Sequence, residues 1–255
     1  MADDVKSLYD QLAANYHLIF QDWDVSIRRQ GSILGAILDR ECTSKPLHVL
    51  DCACGIGTQM LGLAGRGFTV TGCDFSRASV ERARKEAETR GFDVSLFVTA
   101  MTDLGLVPEK DFDAVICMDN ALPHFDNDEQ LLQALRQIRG KLPAGKLFMA
   151  SIRDYDVLIK EKPALQGPAF YQDNGKRRIV HQIWDWIDNR RYTFHLFITR
   201  EIDQGWENCH YAANYRAISR EELSRFLMGA GFVNCRWLPP AETGYYQPIV
   251  LATAI

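Results

Sequence analysis

A short apolar segment that runs into an acidic residue and a glycine-rich turn constrains the fold of this chain more than any other feature. Residues 47–57 read Leu-His-Val-Leu-Asp-Cys-Ala-Cys-Gly-Ile-Gly. The apolar residues before Asp51 can pair in a buried sheet, and Gly55 and Gly57 let the backbone turn sharply and approach a ligand without an intervening side chain. The pattern predicts a buried strand followed by a ligand-binding turn.

A second acidic residue ends the next predicted strand. Residues 69–73 are small or β-branched and run into Asp74, nineteen residues after Gly55. At about this offset, an acidic side chain can accept hydrogen bonds from both hydroxyls of a ribose. The two segments therefore predict a βαβ unit that binds an adenosine compound.

Two departures from the dinucleotide-binding pattern indicate which adenosine compound is bound. Met60 stands where a pyrophosphate loop needs its third glycine, and the carboxylate of Asp51 would repel a pyrophosphate but could hold the ammonium group of an amino-acid moiety. Both features favour S-adenosylmethionine, and a glycine turn that binds nothing is the alternative. Asp51, Gly55, Gly57 and Asp74 resemble the first two motifs of the class I S-adenosylmethionine-dependent methyltransferases.

The predicted elements alternate between strand and helix in the first part of the chain, which is typical of a doubly wound parallel sheet. Strands are predicted near 49–50 and at 69–73, 94–98, 112–118 and 146–152, with helices at 58–66, 77–90 and 128–142. Three extended segments at 178–186, 192–201 and 206–216 then predict an antiparallel insert. A helix at 220–229 and strands at 233–238 and 247–253 follow.

The fold class is therefore α/β, with a doubly wound, Rossmann-like and mostly parallel sheet. The methyltransferase resemblance implies seven strands, the last of them antiparallel. We expect one methyltransferase domain over residues 1–255, with an amino-terminal helical lid at about 1–40 and an antiparallel β insert at about 155–217.

Charge and composition exclude several classes of function. The formal net charge is −4, with 29 basic and 33 acidic residues, so no wide basic face for nucleic acid is expected. No apolar run approaches the roughly 18 residues of a membrane span, and the first residues do not resemble a secretory signal, so we expect a cytoplasmic protein without membrane contact. The seven cysteines lack a Cys-x-x-Cys pair, which argues against a zinc site, and no metal is expected.

Two later segments narrow the acceptor of the methyl group. Residues 112–124 and 151–155 resemble glycine N-methyltransferases and bacterial glycine/sarcosine N-methyltransferases, and the order of motifs fits that family across nearly the whole chain. The resemblance implies methyl transfer from S-adenosylmethionine to the amine of glycine, sarcosine or a related small amino acid, with S-adenosylhomocysteine as the product. The molecule that this protein binds would then be a small-molecule acceptor, which the resemblance implies to be an amino acid. Oligomerisation is compatible with the same family.

Carried over by position, the resemblance also implies a set of cofactor-binding residues. These are Tyr16, Trp23, Arg29, Asp51, Ala53, Gly55, Gly57, Asp74, Phe75, Met101, Thr102 and Met118. The first three would belong to the lid, with Arg29 on the cofactor carboxylate; the alternative is an amphipathic helix that packs Tyr16 and Trp23 on the core. The aromatic residue that animal glycine enzymes place near Met101 and Thr102 is absent, so adenine packing must differ.

Arg153 is the strongest candidate for binding the acceptor. It follows the fifth strand, at the edge where open α/β sheets bind ligands, and a guanidinium matches a carboxylate in geometry. An ion pair with Asp154 or Asp156 is the alternative. Further candidates for orienting the acceptor or closing over it are Asn120, His124 and Tyr171, followed by Tyr215 and Tyr245.

Other functions are compatible with the same motifs. The close alternative is a class I methyltransferase that acts on a different small metabolite, because the insert sets acceptor specificity. More distant alternatives are a cofactor-binding protein without catalytic activity and a nicotinamide-dependent oxidoreductase.

Overall fold

The computed structural model describes residues 3–43 and 47–255, which form two β-sheets flanked by helices. The strands are β1 (His48–Asp51), β2 (Thr69–Asp74), β3 (Val94–Val98), β4 (Ala114–Cys117), β5 (Leu147–Ser151), β6 (Leu165–Asp173), β7 (Lys176–Trp186), β8 (Arg191–Ile202), β9 (Gly205–Arg216), β10 (Phe232–Leu238) and β11 (Ile249–Ala254). The larger sheet has seven strands in the order β10-β11-β5-β4-β1-β2-β3. Strand β11 runs antiparallel to both of its neighbours, and the other pairs are parallel. The predicted fold class is confirmed.

The helices begin and end at residues whose local chemistry favours those boundaries. They are α1 (Asp3–Leu12), α2 (Trp23–Glu41), α3 (Thr58–Ala64), α4 (Arg77–Arg90), α5 (Asp128–Arg139), α6 (Tyr155–Glu161), α7 (Arg220–Gly229) and α8 (Pro240–Thr243). The side chains of Ser76 and Ser219 cap α4 and α7, and Gly91 ends α4 in a left-handed conformation. Within the described ranges, no helix is both long and apolar enough to cross a bilayer.

Successive residues of the central strands face two different apolar clusters, one on each side of the large sheet. Val115 and Phe148 belong to one cluster, whereas their chain neighbours Ile116 and Met149 belong to the other. Because side chains alternate across a strand, a strand covered on both faces must be apolar at every position. This burial explains why β4 and β5 read as continuous apolar runs in the sequence.

The insert is an antiparallel sheet of four strands, in the order β6-β7-β8-β9. The sequence predicted three of them and missed β6. That strand is an edge strand with most of its side chains exposed, including Leu165 and Phe170, and Gly167-Pro168 interrupts it at an irregularity in the pairing. A strand with no buried face lacks the alternation on which strand prediction depends.

The order of strands reverses between β1 and β4, which creates a crevice at their carboxyl ends. Ligands of open α/β sheets bind at such a point. The insert lies at this edge because β9 contacts residues 122–124, which follow β4, and the amino-terminal segment lies there because α1 packs against β9. The crevice is therefore covered by elements that are distant from it in sequence.

Candidate functional site

The glycine turn after β1 is tied to the end of β2 by hydrogen bonds from two successive backbone N–H groups. That of Cys54 donates to the carbonyl oxygen of Cys73 at 3.0 Å. The backbone N–H of Gly55 donates to the Oδ2 atom of Asp74 at 2.9 Å. Gly55 and Gly57 both have positive φ angles, 51° and 99°, which favour glycine. A Cβ atom added to Gly55 would meet no heavy atom within 4 Å, so this side of the turn faces open space. A ligand can therefore approach the backbone here.

Two carboxyl groups lie buried behind this turn, and both are less acidic than usual. Burial raises the pKa of Asp74 to about 6 and that of Asp51 to about 7. Asp74 also accepts a hydrogen bond from the backbone N–H of Ser76, and Asp51 accepts one from Ala53. The Oδ2 atom of Asp51 is buried and has no hydrogen-bond partner among the described residues. A buried oxygen without a partner suits a site whose ligand carries a donor or a positive charge.

A small cavity of about 50 Å³, the turn cavity, opens beside the glycine turn. Seven of the predicted cofactor residues line it: Tyr16, Ala53, Gly55, Asp74, Phe75, Met101 and Met118. Tyr9, Asp119 and His124 also line it. The residues that end β1, β2 and β4 thus meet around one space, as expected for the carboxyl edge of a parallel sheet.

The other five predicted cofactor residues do not line the turn cavity: Trp23, Arg29, Asp51, Gly57 and Thr102. Asp51 and Gly57 belong to the turn itself. Trp23 is buried and donates from its indole nitrogen to the hydroxyl of Thr58 at 2.8 Å, at the start of α3. Arg29 donates to the carbonyl oxygen of Gly244 at 3.1 Å. Both side chains thus make contacts within the protein: Trp23 lies behind the cavity wall, since its partner Thr58 lines the turn cavity, and Arg29 contacts the loop after α8.

A second and much larger cavity, the outer cavity, adjoins the first and has a volume of about 620 Å³. Tyr9, Tyr16 and Asp119 line both cavities and stand between them. The remaining walls come from α1, α6, the insert and the loop before β11. Arg153, Tyr171 and Tyr215 are the predicted acceptor residues found in this wall.

Arg153 projects into the outer cavity as a cation without a carboxylate partner. Its guanidinium carbon lies 4.6 Å from the ring centre of Trp184 and 5.0 Å from those of Phe194 and Tyr215. One terminal nitrogen donates to the hydroxyl of Tyr192 at 2.6 Å. In the described part of the chain, no carboxylate oxygen lies within 4.0 Å of a guanidinium nitrogen of Arg153, so this residue forms no ion pair there.

The ion pairs considered as an alternative for Arg153 form with a different arginine. Arg220 pairs with Asp154 at 3.2 Å and also with Asp156. The backbone N–H of Arg153 donates to the Oδ1 atom of Asn120 at 3.0 Å. Asn120, which is buried and lines neither cavity, thus holds the end of β5 in place.

Asp119 is the residue that sequence reasoning missed. It lies two residues after the end of β4, directly after the predicted strand at 112–118, and has a φ angle of 59°. Its backbone N–H donates to the Ser151 hydroxyl at 2.8 Å. Its carboxylate accepts hydrogen bonds from Tyr16 and Gln247, both at 3.4 Å, and from Tyr246. Burial raises the pKa of Asp119, although the Tyr246 hydroxyl and the charge of Arg153 oppose the shift. A polar residue directly after an apolar strand was the signal, as it was for Asp51 and Asp74.

His124 is held as a neutral ring beside the turn cavity. Its Nε2 atom lies 2.8 Å from the hydroxyl of Tyr9, and its ring centre lies 4.2 Å from that of Tyr215. Burial lowers the pKa of His124 to about 3, helped by the charge of Arg153. Its Nδ1 atom has no hydrogen-bond partner among the residues described.

The two remaining acceptor candidates occupy different positions. Tyr171 lines the outer cavity and carries the guanidinium of Arg178 over its ring at 4.7 Å. Tyr245 is buried away from both cavities and donates from its hydroxyl to Gln30 at 3.1 Å.

Comparisons with known sequences place the turn cavity in a recognised domain. Residues 49–145 match the family described as a methyltransferase domain. The chain is 31% identical over 184 residues to the glycine N-methyltransferase of Homo sapiens, a match covering 67% of this chain and 61% of that enzyme. It is 30% identical over 115 residues to a ubiquinone biosynthesis O-methyltransferase of Azoarcus sp. (strain BH72), covering 45% of this chain and 48% of that enzyme. The chain thus spans less than two thirds of the length of either relative.

Comparison with solved structures supports the fold over most of the chain. CalS10, an amino pentose methyltransferase from Micromonospora echinaspora solved with S-adenosylmethionine bound, superimposes with a TM-score of 0.72 at 18% identity. The alignment covers 90% of this chain and 92% of CalS10. At this identity the likeness concerns the fold alone.

Proposed function

Because the chain belongs to the class I S-adenosylmethionine-dependent methyltransferases, we propose that it methylates the amine of glycine, sarcosine or a related small amino acid. One observation carries this proposal. Arg153, a cation without a carboxylate partner in the described chain, lies in a cavity that shares Asp119 with the turn cavity. An amino acid presents a carboxylate and an amine, which match these two side chains in charge.

The residues around the glycine turn fit S-adenosylmethionine. Asp74 would accept the ribose hydroxyls with the lone pairs that its backbone bonds leave free, and the unpartnered oxygen of Asp51 would face the ammonium group. Phe75, Met101 and Met118 would provide apolar contacts for adenine, with Thr102 nearby. The bound cofactor supplies a methyl group already activated by a sulfonium centre.

Entry of the cofactor requires the amino-terminal segment to move. The turn cavity has a volume of about 50 Å³, room for only a few water molecules. Tyr9 and Tyr16 occupy the boundary between the two cavities, and their ring centres lie 6.2 Å apart. We therefore propose that residues of about 1–40 act as a lid on a single domain, and that Trp23 and Arg29 contribute to it by fixing α2.

The acceptor would be positioned by charge on both sides. The guanidinium of Arg153 would bind the carboxylate through nitrogens that make no other hydrogen bond to described residues. Asp119 would accept a hydrogen bond from the amine and receive the proton that an ammonium group must lose before it can attack. Asn120 would act indirectly, by holding the backbone of Arg153. His124, being neutral, would support Tyr9 and contribute no charge.

A different small acceptor is the second candidate. The resemblance to an O-methyltransferase supports it, because that match covers 45% of this chain. The methyltransferase-domain match likewise ends at residue 145, before the insert begins. The charge of Arg153 nevertheless favours an acceptor that carries an anionic group.

The test is a screen of acceptors with the purified chain. S-adenosylhomocysteine formation would be measured with glycine, sarcosine, dimethylglycine, ethanolamine and catechol, and calorimetry would compare S-adenosylmethionine with NAD. We expect the protein to bind S-adenosylmethionine and not NAD. We also expect it to methylate amino acids that have a free or singly methylated amine. Turnover with ethanolamine or catechol, but not with any amino acid, would contradict the proposal.

A further inference from the structure

The outer cavity is larger than a minimal amino acid requires. Its volume of about 620 Å³ lies within the roughly 300–1,000 Å³ typical of sites for drug-sized ligands. Glycine would fill a small part of it and leave the rest to water. The volume of the cavity therefore indicates the size of the acceptor, in addition to the charge that Arg153 selects.

The charges in the cavity wall are few and come as one opposed pair. Arg153 and Asp119 are the charged groups left for a ligand, because Asp154, the remaining charged residue in the described wall, is paired with Arg220. Much of the remaining wall is apolar or aromatic and comes from the amino-terminal segment, α6 and the insert: Leu12, Phe20, Leu158, Val180, Leu196 and Tyr211. An apolar surface of this kind binds apolar groups by releasing water.

We infer that the acceptor is an amino acid with an apolar or aromatic side chain, and that this side chain occupies the outer cavity between the insert and α6. The inference rests on the proposed function, since it takes Arg153 and Asp119 to bind the carboxylate and the amine. Within the amino-acid acceptors of the proposed function, glycine and sarcosine would then be methylated more slowly than amino acids with a larger apolar side chain. Burial of a leucine or phenylalanine side chain is expected to raise kcat/KM at least tenfold over glycine.

Ala169 offers a way to fill the cavity without rebuilding the core. It lies on the edge strand β6, lines the outer cavity, is only partly buried, and pairs with Val180 of the cavity wall. The Ala169→Phe variant adds bulk there. Gln172→Phe adds the same ring on the opposite, exposed face of the same strand, and is the matched control.

The experiment measures kcat/KM for glycine, alanine, leucine and phenylalanine in the wild-type chain and both variants, with the S-adenosylmethionine Kd and the Tm. We expect the wild type to favour leucine or phenylalanine over glycine at least tenfold. Ala169→Phe should reduce turnover of these acceptors at least tenfold, and leave glycine turnover and the cofactor Kd within threefold. Gln172→Phe should leave every value within twofold.

Two results would overturn the inference. A wild-type preference for glycine would do so without any variant, while leaving the proposed function intact. An equal loss for glycine and phenylalanine in a folded Ala169→Phe protein would also do so. If S-adenosylmethionine binds but no amino acid of any size is methylated, the proposed function and this inference both fail.

Discussion

The turn cavity and the outer cavity adjoin each other, but they are built in opposite ways. The turn cavity is formed mainly by residues at or soon after the ends of strands β1, β2 and β4. Its shape is fixed by hydrogen bonds from the backbone N–H groups of Cys54 and Gly55 to Cys73 and to the Asp74 carboxylate. The outer cavity is formed by side chains from the amino-terminal segment, α6, the insert and the loop before β11. The shape of the turn cavity depends on local backbone geometry, whereas the shape of the outer cavity depends on how elements distant in sequence pack together.

The contrast indicates which cavity tolerates change. A turn that depends on positive φ angles and a backbone bond restricts the sequence to a few residue types. A wall of apolar side chains accepts many sequences of similar volume, so the acceptor can change while the cofactor site stays the same. Asp119 and the tyrosines Tyr9 and Tyr16 belong to both walls, and they should link the two functions.

Loss of the Arg153 charge should have the largest effect. It should lower acceptor kinetics, which depend on the outer cavity, and leave cofactor affinity, which depends on the turn cavity, nearly unchanged. Arg153→Ala removes a partly buried cation from the acceptor carboxylate, a loss of about 2–5 kcal/mol, so kcat/KM for the preferred amino acid should fall roughly 30- to 5,000-fold. Arg153→Lys should restore only part of the lost kcat/KM, because an ammonium group cannot make two parallel hydrogen bonds to a carboxylate. The S-adenosylmethionine Kd, measured by calorimetry, should change less than threefold.

The control for these variants is Arg177→Ala, which removes an exposed arginine from β7. Its acceptor kinetics should stay within twofold of the wild type, since exposed ion pairs contribute little. Equal losses of cofactor and acceptor binding in Arg153→Ala would show that the two cavities are not separate in function.

Asp119 should show the coupling between the cavities. Asp119→Asn keeps the size of the side chain but removes its charge, and hydrogen bonds to charged groups contribute about 1.5–3 kcal/mol. We expect kcat/KM for the acceptor to fall roughly 10- to 100-fold, and cofactor affinity to fall severalfold. Steady-state kinetics and calorimetry measure the two effects. If kcat/KM is unchanged at every pH tested, Asp119 does not contact the amine.

Asp74 should affect the cofactor and leave acceptor recognition intact. Asp74→Ala removes the acceptor of the ribose hydroxyls, so the S-adenosylmethionine Kd should rise more than tenfold, from a loss of about 1.5–3 kcal/mol. KM for the acceptor at saturating cofactor should stay within threefold. Because Asp74 also accepts from Gly55 and Ser76, Asp74→Asn is measured beside it, with the Tm as a check of the fold. An unchanged Kd in both variants would remove Asp74 from the cofactor site.

The smallest expected effect is a pH dependence of stability that arises from Asp51. Its pKa is about 7 in the folded chain, against an ordinary value of 3.8, because burial disfavours the charged form. Between these values the folded state binds more protons than the unfolded state, so this group makes the free energy of unfolding fall as pH rises through the window. Above pH of about 7 its contribution no longer changes.

The measurement is urea unfolding of the wild type and Asp51→Asn at pH 5.5 and 7.5, without cofactor. The wild type should lose roughly 1–2 kcal/mol more than the variant over this range, since one pKa unit corresponds to about 1.4 kcal/mol. Titrating groups that do not interact with Asp51 are shared by both proteins and cancel in the difference. Asp74 does interact with it, so Asp74→Asn and the double variant are measured over the same pH range. A parallel pH dependence of the two proteins would show that Asp51 ionises in the folded state as it does in solution.

Sequence reasoning succeeded where a residue's role depends on its neighbours along the chain. The helices predicted at 77–90 and 220–229 have the same bounds in the structure, because Ser76, Ser219 and Gly91 fix those boundaries by local chemistry. Strand β6 was missed because its exposed residues carry no pattern of burial. Asp119 was overlooked although the sequence held the signal, a polar residue after a buried strand.

The sequence by itself determined the doubly wound sheet, the glycine turn and the two acidic residues that end β1 and β2. These follow from the alternation of apolar segments and from the few residues that can adopt the turn. Only the tertiary structure decided that Asp154 pairs with Arg220, while Arg153 has no carboxylate partner within residues 3–43 and 47–255. The same holds for the placement of Arg153 and Asp119 in the wall of one cavity. Those outcomes depend on packing between elements far apart in the chain, where several charged partners are within reach and geometry selects among them.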